Sequence, residues 1–110
     1  MAKTTHFDME LTSEEFKELI KDNENLVVVD FYAEWCMPCL MIAPALDELS
    51  EELNNVKFVK INIEENRGLT NMFKVSSIPC LVAFKDGKEV GRIVGAVPKE
   101  MIEEKLKEFL

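Results

Sequence analysis

The amino-acid sequence predicts an α/β fold: a central mixed β-sheet with helices on both faces. Three observations predict it. Leu26–Tyr32 is an apolar, β-branched and aromatic run broken by one acid, the pattern of a strand buried on both faces. Segments of helical spacing alternate with such runs, which implies parallel pairing through crossovers. Asp86-Gly87 separates two further apolar runs and marks a tight hairpin, because both turn positions need φ > 0.

Each element follows from local chemistry. Residues 6–9 predict a short opening strand. Thr12-Ser13-Glu14-Glu15 fits a capping box, and Phe16, Leu19 and Ile20 give the helix after it an apolar face ending near Asp22-Asn23. After the strand at 26–32, a helix is expected over residues 36–53, with Met41, Ala45, Leu46, Leu49 and Leu53 as its buried stripe. Residues 56–63 alternate as a strand, and residues 66–74 predict a short helix. Strands at 81–84 and 90–94 flank the turn. The closing helix begins near Pro98, suited to a first turn, and carries Ile102, Leu106, Phe109 and Leu110 on one face. No linker, repeat or low-complexity tract divides the chain, so residues 1–110 are read as one domain.

Composition narrows the chemistry. Twenty-one acidic against 13 basic residues, a net charge of −8, argues against a nucleic-acid or anionic-membrane partner. The longest apolar run, Cys39 to Leu46, is far short of the ~20 residues that cross a bilayer. The first residues, MAKTTHFDMELTSEE, lack the apolar core of a secretory signal, and a cytoplasmic location is expected. Three cysteines do not make a disulfide-stapled scaffold, and one histidine excludes the usual zinc sets; no metal is expected. Thiol chemistry survives.

Trp35-Cys36-Met37-Pro38-Cys39 stands where the buried strand gives way to the long helix. Cysteines at i and i+3 of a first turn lie ~5–6 Å apart at Cβ, which lets a disulfide form and break with little backbone motion. The helix N-terminus favours a thiolate at Cys36. Pro38 is tolerated because first-turn N–H groups have no intrahelical partner. Asp30 is an acid inside an apolar strand. Either burial raises its pKa and makes it a proton acceptor, with Lys60 as charge partner, or both residues face solvent. Pro79 is either a cis-proline or a strand-edge residue.

These residues resemble the thioredoxin family, and the resemblance spans essentially the whole chain. Asp30-Phe31, Ala33-Glu34-Trp35-Cys36, Pro38-Cys39, Pro44, Lys60-Ile61-Asn62-Ile63, Ile78-Pro79, Lys85-Asp86-Gly87 and Val94-Gly95-Ala96 fall in family order. The resemblance implies a thioredoxin fold and a protein disulfide reductase. Cys36 would be the exposed nucleophile and Cys39 the resolving thiol, with Asp30 and Lys60 governing proton transfer at Cys39. Pro79 would be a cis-proline facing the disulfide, and Pro44 would kink the long helix. Trp35, Met37, Pro38, Ile63, Ile78, Pro79, Val94, Gly95 and Ala96 would receive the substrate. It further implies a monomer without cofactor, reduced by a flavin-dependent thioredoxin reductase and acting on disulfide-containing proteins.

Three positions depart from the family pattern. Met37 replaces the usual glycine, Tyr32 the frequent tryptophan, and Cys80 the common threonine after Pro79. Cys80 is either a small core residue or a third thiol able to compete for disulfide bonding. Two other readings fit the same residues: a glutaredoxin-like, glutathione-dependent enzyme, and a non-redox binding module whose cysteines hold a metal.

Overall fold

In the computed structural model, residues 5–7 and 10–110 are described. The elements are β1 (Thr5–Phe7), α1 (Ser13–Ile20), β2 (Leu26–Tyr32), α2 (Met37–Glu52), β3 (Val56–Asn62), α3 (Arg67–Met72), β4 (Cys80–Lys85), β5 (Lys88–Val94) and α4 (Lys99–Phe109). One five-stranded sheet has the order β1-β3-β2-β4-β5. β1 and β2 run parallel to β3, and β4 is antiparallel to β2 and β5. The expected α/β architecture with a mixed sheet is therefore what forms.

Alternation along β2 sorts the core into two layers. Leu26 and Val28 face Ile42, Leu46 and Leu49 of α2 and Ile102 and Leu106 of α4. Val27, Val29 and Phe31 face Phe16 and Ile20 of α1 and Leu69 of α3. Every residue of β2 is buried, as a doubly covered central strand requires.

Local signals set the boundaries. Thr12 caps α1 through Glu15 N–H at 3.0 Å, and Glu15 returns a bond to Thr12 N–H at 2.8 Å. Asp86 and Gly87 take φ of 52° and 80°, closing the β4–β5 turn in the left-handed region. Four expectations shift. β1 covers Thr5–Phe7, and residues 8 and 9 of the expected strand lie outside the described residues. β5 starts at Lys88 because the two-residue turn lets the ladder begin at once, with Lys85 opposite Lys88. Pro98 is the N-cap of α4, and Leu110, beyond its last turn, is exposed.

The larger correction concerns α2. Met41, expected in the core, is 71% exposed, and Ile42 occupies the core instead. Cys39, Ile42, Leu46 and Leu49 form the inner stripe. Because Cys39 points inward, Met41 falls two residues, about 200°, around the helix. α2 runs on through Pro44, whose missing N–H leaves no helical donor for the Leu40 carbonyl.

Candidate active site

The buried strand β2 ends at Tyr32, and a tight connection starts α2. Cys36 N–H bonds the Ala33 carbonyl at 3.2 Å, which turns the chain into the helix. Cys36 is the N-cap of α2, with Met37 and Pro38 next. Its sulfur accepts the Cys39 N–H at 3.2 Å, standing where a serine or aspartate oxygen ordinarily caps. A sulfur that receives a first-turn N–H at the positive end of the helix dipole is stabilised as a thiolate and as a leaving group. Cys36 and Cys39 are joined as a disulfide, with Cα atoms 5.3 Å apart.

Cys36 was expected to be exposed. In the oxidised form it is 4% exposed, the same as Cys39. The disulfide packs with Tyr32, Ala33, Ile63 and Ile78, and these neighbours cover both sulfurs. What distinguishes the two cysteines is their place on the helix, one at its cap and one inside its first turn.

Three other segments converge on this disulfide. The Ile78–Pro79 bond is cis, and the Ile78 carbonyl oxygen lies 3.9 Å from the Cys36 sulfur. The Gly95 N–H donates to the Pro79 carbonyl at 2.9 Å, which brings Val94-Gly95-Ala96 beside the proline. Gly95 has φ of +94°, a conformation that favours glycine. The Ile63 N–H donates to the Tyr32 carbonyl at 2.9 Å, joining the end of β3 to the end of β2. The nine expected docking residues thus come together, though unequally. Trp35, Met37, Pro38, Val94 and Ala96 are exposed, Ile63, Ile78 and Gly95 are half-buried, and Pro79 is buried. A groove of about 370 Å³ runs from Trp35 and Ile63 to Arg67 and Asn71 of α3.

Asp30 is 2% exposed, and its Oδ1 has no hydrogen-bond partner among the described residues. The solvent-facing alternative is thereby excluded for Asp30. It shares a sheet face with Val28, the face covered by α2. Burial pushes its pKa from 3.8 to about 7, while Lys60 pulls it down. Lys60 is opposite Asp30 in the β2–β3 register, and its ammonium sits 4.6 Å from the centre of the Tyr32 ring.

Cys80 is 1% exposed and belongs to the core layer under α1 and α3, with Phe31, Ile61 and Val82. α2 covers the other face of the sheet. Burial pushes the Cys80 thiol up, and Arg92 beside it opposes this. Under native conditions Cys80 is expected to resist alkylation and to label only on unfolding. Peptide mapping after iodoacetamide treatment measures this, and native labelling at the rate of an exposed thiol would contradict the burial.

Sequence reasoning missed Asn66. It is buried, its Oδ1 accepts the Leu11 N–H at 2.7 Å and its side-chain amide donates to the Asn62 carbonyl at 3.2 Å. It anchors the loop that carries Ile63. A polar residue in a loop gives no signal of a partner 55 positions away.

A disulfide at the N-cap of a helix, with a cis Ile–Pro bond beside it and a buried acid on the sheet face which that helix covers, defines a dithiol–disulfide oxidoreductase of α/β fold. The Thioredoxin family model matches residues 8–108. The chain is 49% identical over 92 residues to a thioredoxin of Chlamydia pneumoniae, covering 84% of this chain and 88% of that one. It is 45% identical over 96 residues to a thioredoxin of Synechocystis sp., covering 86% and 90%. Among solved structures, a thioredoxin of Nicotiana alata superposes with a TM-score of 0.85 at 34% identity, covering 97% of this chain and 92% of that one. The chain belongs to the thioredoxin family, and it is a protein disulfide reductase with Cys36 and Cys39 as its redox pair.

Proposed function

We propose that Cys36 is the attacking sulfur and Cys39 the resolving one. The Cys36 thiolate attacks a substrate disulfide, forms a mixed disulfide and expels one substrate thiolate, which takes up a proton. Cys39 gives its proton to Asp30 and attacks the Cys36 sulfur. That step expels the second substrate thiolate and closes the Cys36–Cys39 disulfide. The dithiol loses two electrons and the substrate disulfide gains two. The observation that carries this order is the Cys39 N–H aimed at the Cys36 sulfur, which stabilises negative charge on Cys36 and not on Cys39. Lys60 would favour the charged form of Asp30 and so its return to the proton-accepting state.

Trp35, Met37, Pro38, Ile63, Ile78, Pro79, Val94, Gly95 and Ala96 would meet the substrate chain as a largely uncharged surface. Family membership implies a reductase that restores the dithiol; we assign that role to a flavin-dependent thioredoxin reductase, with the protein working as a cytoplasmic monomer. No helix among the described residues is long and apolar enough to cross a membrane. Reduction of the disulfide is expected with NADPH and such a reductase, and to be at least about tenfold slower with glutathione alone. NADPH consumption coupled to insulin reduction measures the first. An equal or faster glutathione-coupled rate would favour the glutaredoxin-like alternative.

A further inference from the structure

Three exposed apolar side chains occupy one strip of α2: Met37 at 66%, Leu40 at 53% and Met41 at 71% exposure. Their i, i+3, i+4 spacing makes them neighbours on the helix surface. With Trp35 and Val94 they make up five of the nine large exposed hydrophobic residues among the described residues. α2 carries no charge before Asp47, although the chain as a whole carries −8. Beside the strip lies a groove of about 300 Å³ lined by Met41, Ala45, Ala96, Val97, Pro98 and Lys99. Lys99 does not charge it, because its ammonium is held by Glu52 at 2.8 Å and Glu48 at 3.2 Å.

The strip is continuous with the redox centre. Leu40 N–H donates to the Cys36 carbonyl at 3.2 Å, and Ala96 follows the Gly95 that is bonded to Pro79. A polypeptide that lies along α2 while its disulfide is at Cys36 crosses this surface. Met41 lies five residues along the helix from Cys36, about 7 Å. An extended substrate chain covers that distance in two to three residues, at about 3.3 Å each.

We infer that Leu40, Met41 and the groove beside them hold an apolar residue of the substrate protein, two to three positions from the cystine under attack. This rests on the reading of Cys36 as the attacking sulfur. Thioether and aliphatic side chains adapt to differently shaped apolar partners, so the strip selects for apolar character and tolerates variation in shape. An acidic residue at that substrate position loses its hydration and meets only a lysine already paired with Glu48 and Glu52.

Two disulfide-cyclised peptides test the inference, one with leucine and one with aspartate two and three positions outside its cystine. Bis(2-hydroxyethyl) disulfide, uncharged and with arms too short to reach Met41, serves as reference. Wild type is expected to prefer the leucine peptide by about tenfold in kcat/KM. The double variant Leu40→Gln, Met41→Gln is expected to lose that preference and keep its rate on the small disulfide. Equal wild-type values for both peptides, a variant that keeps the preference, or an equal loss on all three substrates would each overturn the inference. If wild type reduced none of the three, the disulfide reductase reading itself would fall, and the inference with it. A concentration-dependent dimer in sedimentation, abolished by the double variant, would assign the strip to a second copy instead.

Discussion

Cys39→Ser is expected to accumulate stable mixed disulfides with substrate proteins, while Cys36→Ser forms none, and both lose insulin reduction by about 10³-fold or more. The asymmetry follows from the helix. Cys36 caps α2 and its sulfur receives the Cys39 N–H, so the charged form of this sulfur is the stabilised one. Cys39 sits inside the first turn, on the buried side of the helix that continues through Ile42 and Leu46. In the proposed order, removing Cys39 leaves the first attack intact and takes away the sulfur that resolves it. Removing Cys36 takes away the first attack. Non-reducing electrophoresis with mass spectrometry of the trapped adducts measures both outcomes. The burial of both sulfurs in the oxidised form makes this test necessary, since exposure does not separate them. Trapping through Cys36→Ser would reverse the assignment.

Asp30→Ala is expected to stabilise the domain and slow it. The carboxyl is enclosed, its Oδ1 lacks a hydrogen bond among the described residues, and burial pushes its pKa from 3.8 to about 7. A carboxyl that holds its proton more tightly folded than unfolded costs no stability below the unfolded pKa. The cost grows as pH rises between the two values and is complete above the folded one. The full penalty is on the order of 4 kcal/mol. The variant should therefore gain stability most at pH 8, with a Tm rise of about 10 °C or more, and least near pH 4. Loss of the proposed proton acceptor is expected to slow turnover near neutral pH by about 10²-fold and to remove the ionisation near pH 7 from the rate profile. Thermal melts at pH 4 and 8, together with the pH dependence of insulin reduction, separate the two effects. A wild-type rate profile would refute the proton-transfer role. A Tm gain independent of pH would refute the buried, ionisable carboxylate.

The two departures at Met37 and Cys80 end in different places. Met37 lies on the surface beside the disulfide and extends the apolar strip that continues through Leu40 and Met41. Cys80 fills the opposite core layer, where a small side chain is needed beside Phe31 and Val82. The −8 charge is accordingly distributed around an uncharged face. The charges bordering that face, among them Glu64 and Arg67 at the Trp35 groove, are placed to bias which partners approach.

Much of this protein was legible in its sequence because the deciding interactions are local. The Thr12–Glu15 box, the Asp86-Gly87 turn and the apolar run of β2 each depend on residues within one turn or one strand of each other. The same holds for the redox pair, since three residues of helix bring Cys36 and Cys39 within bonding reach whatever surrounds them. The tertiary structure decided what depends on contacts distant in sequence. Met41 and Ile42 are equally apolar neighbours, and only the docking of α2 with Cys39 inward sends one to the core and the other to the surface. Asp30 reads from sequence as buried or exposed; β3 and β4 on its two sides and α2 above it close off the water. Asn66 reaches Leu11 across 55 positions. Ile78, just before the cis-proline, lies beside the disulfide because β4 pairs with β2 and Gly95 returns to bond the Pro79 carbonyl. Helix phase and strand environment are set by which surfaces pack together, and no window of adjacent residues contains that information.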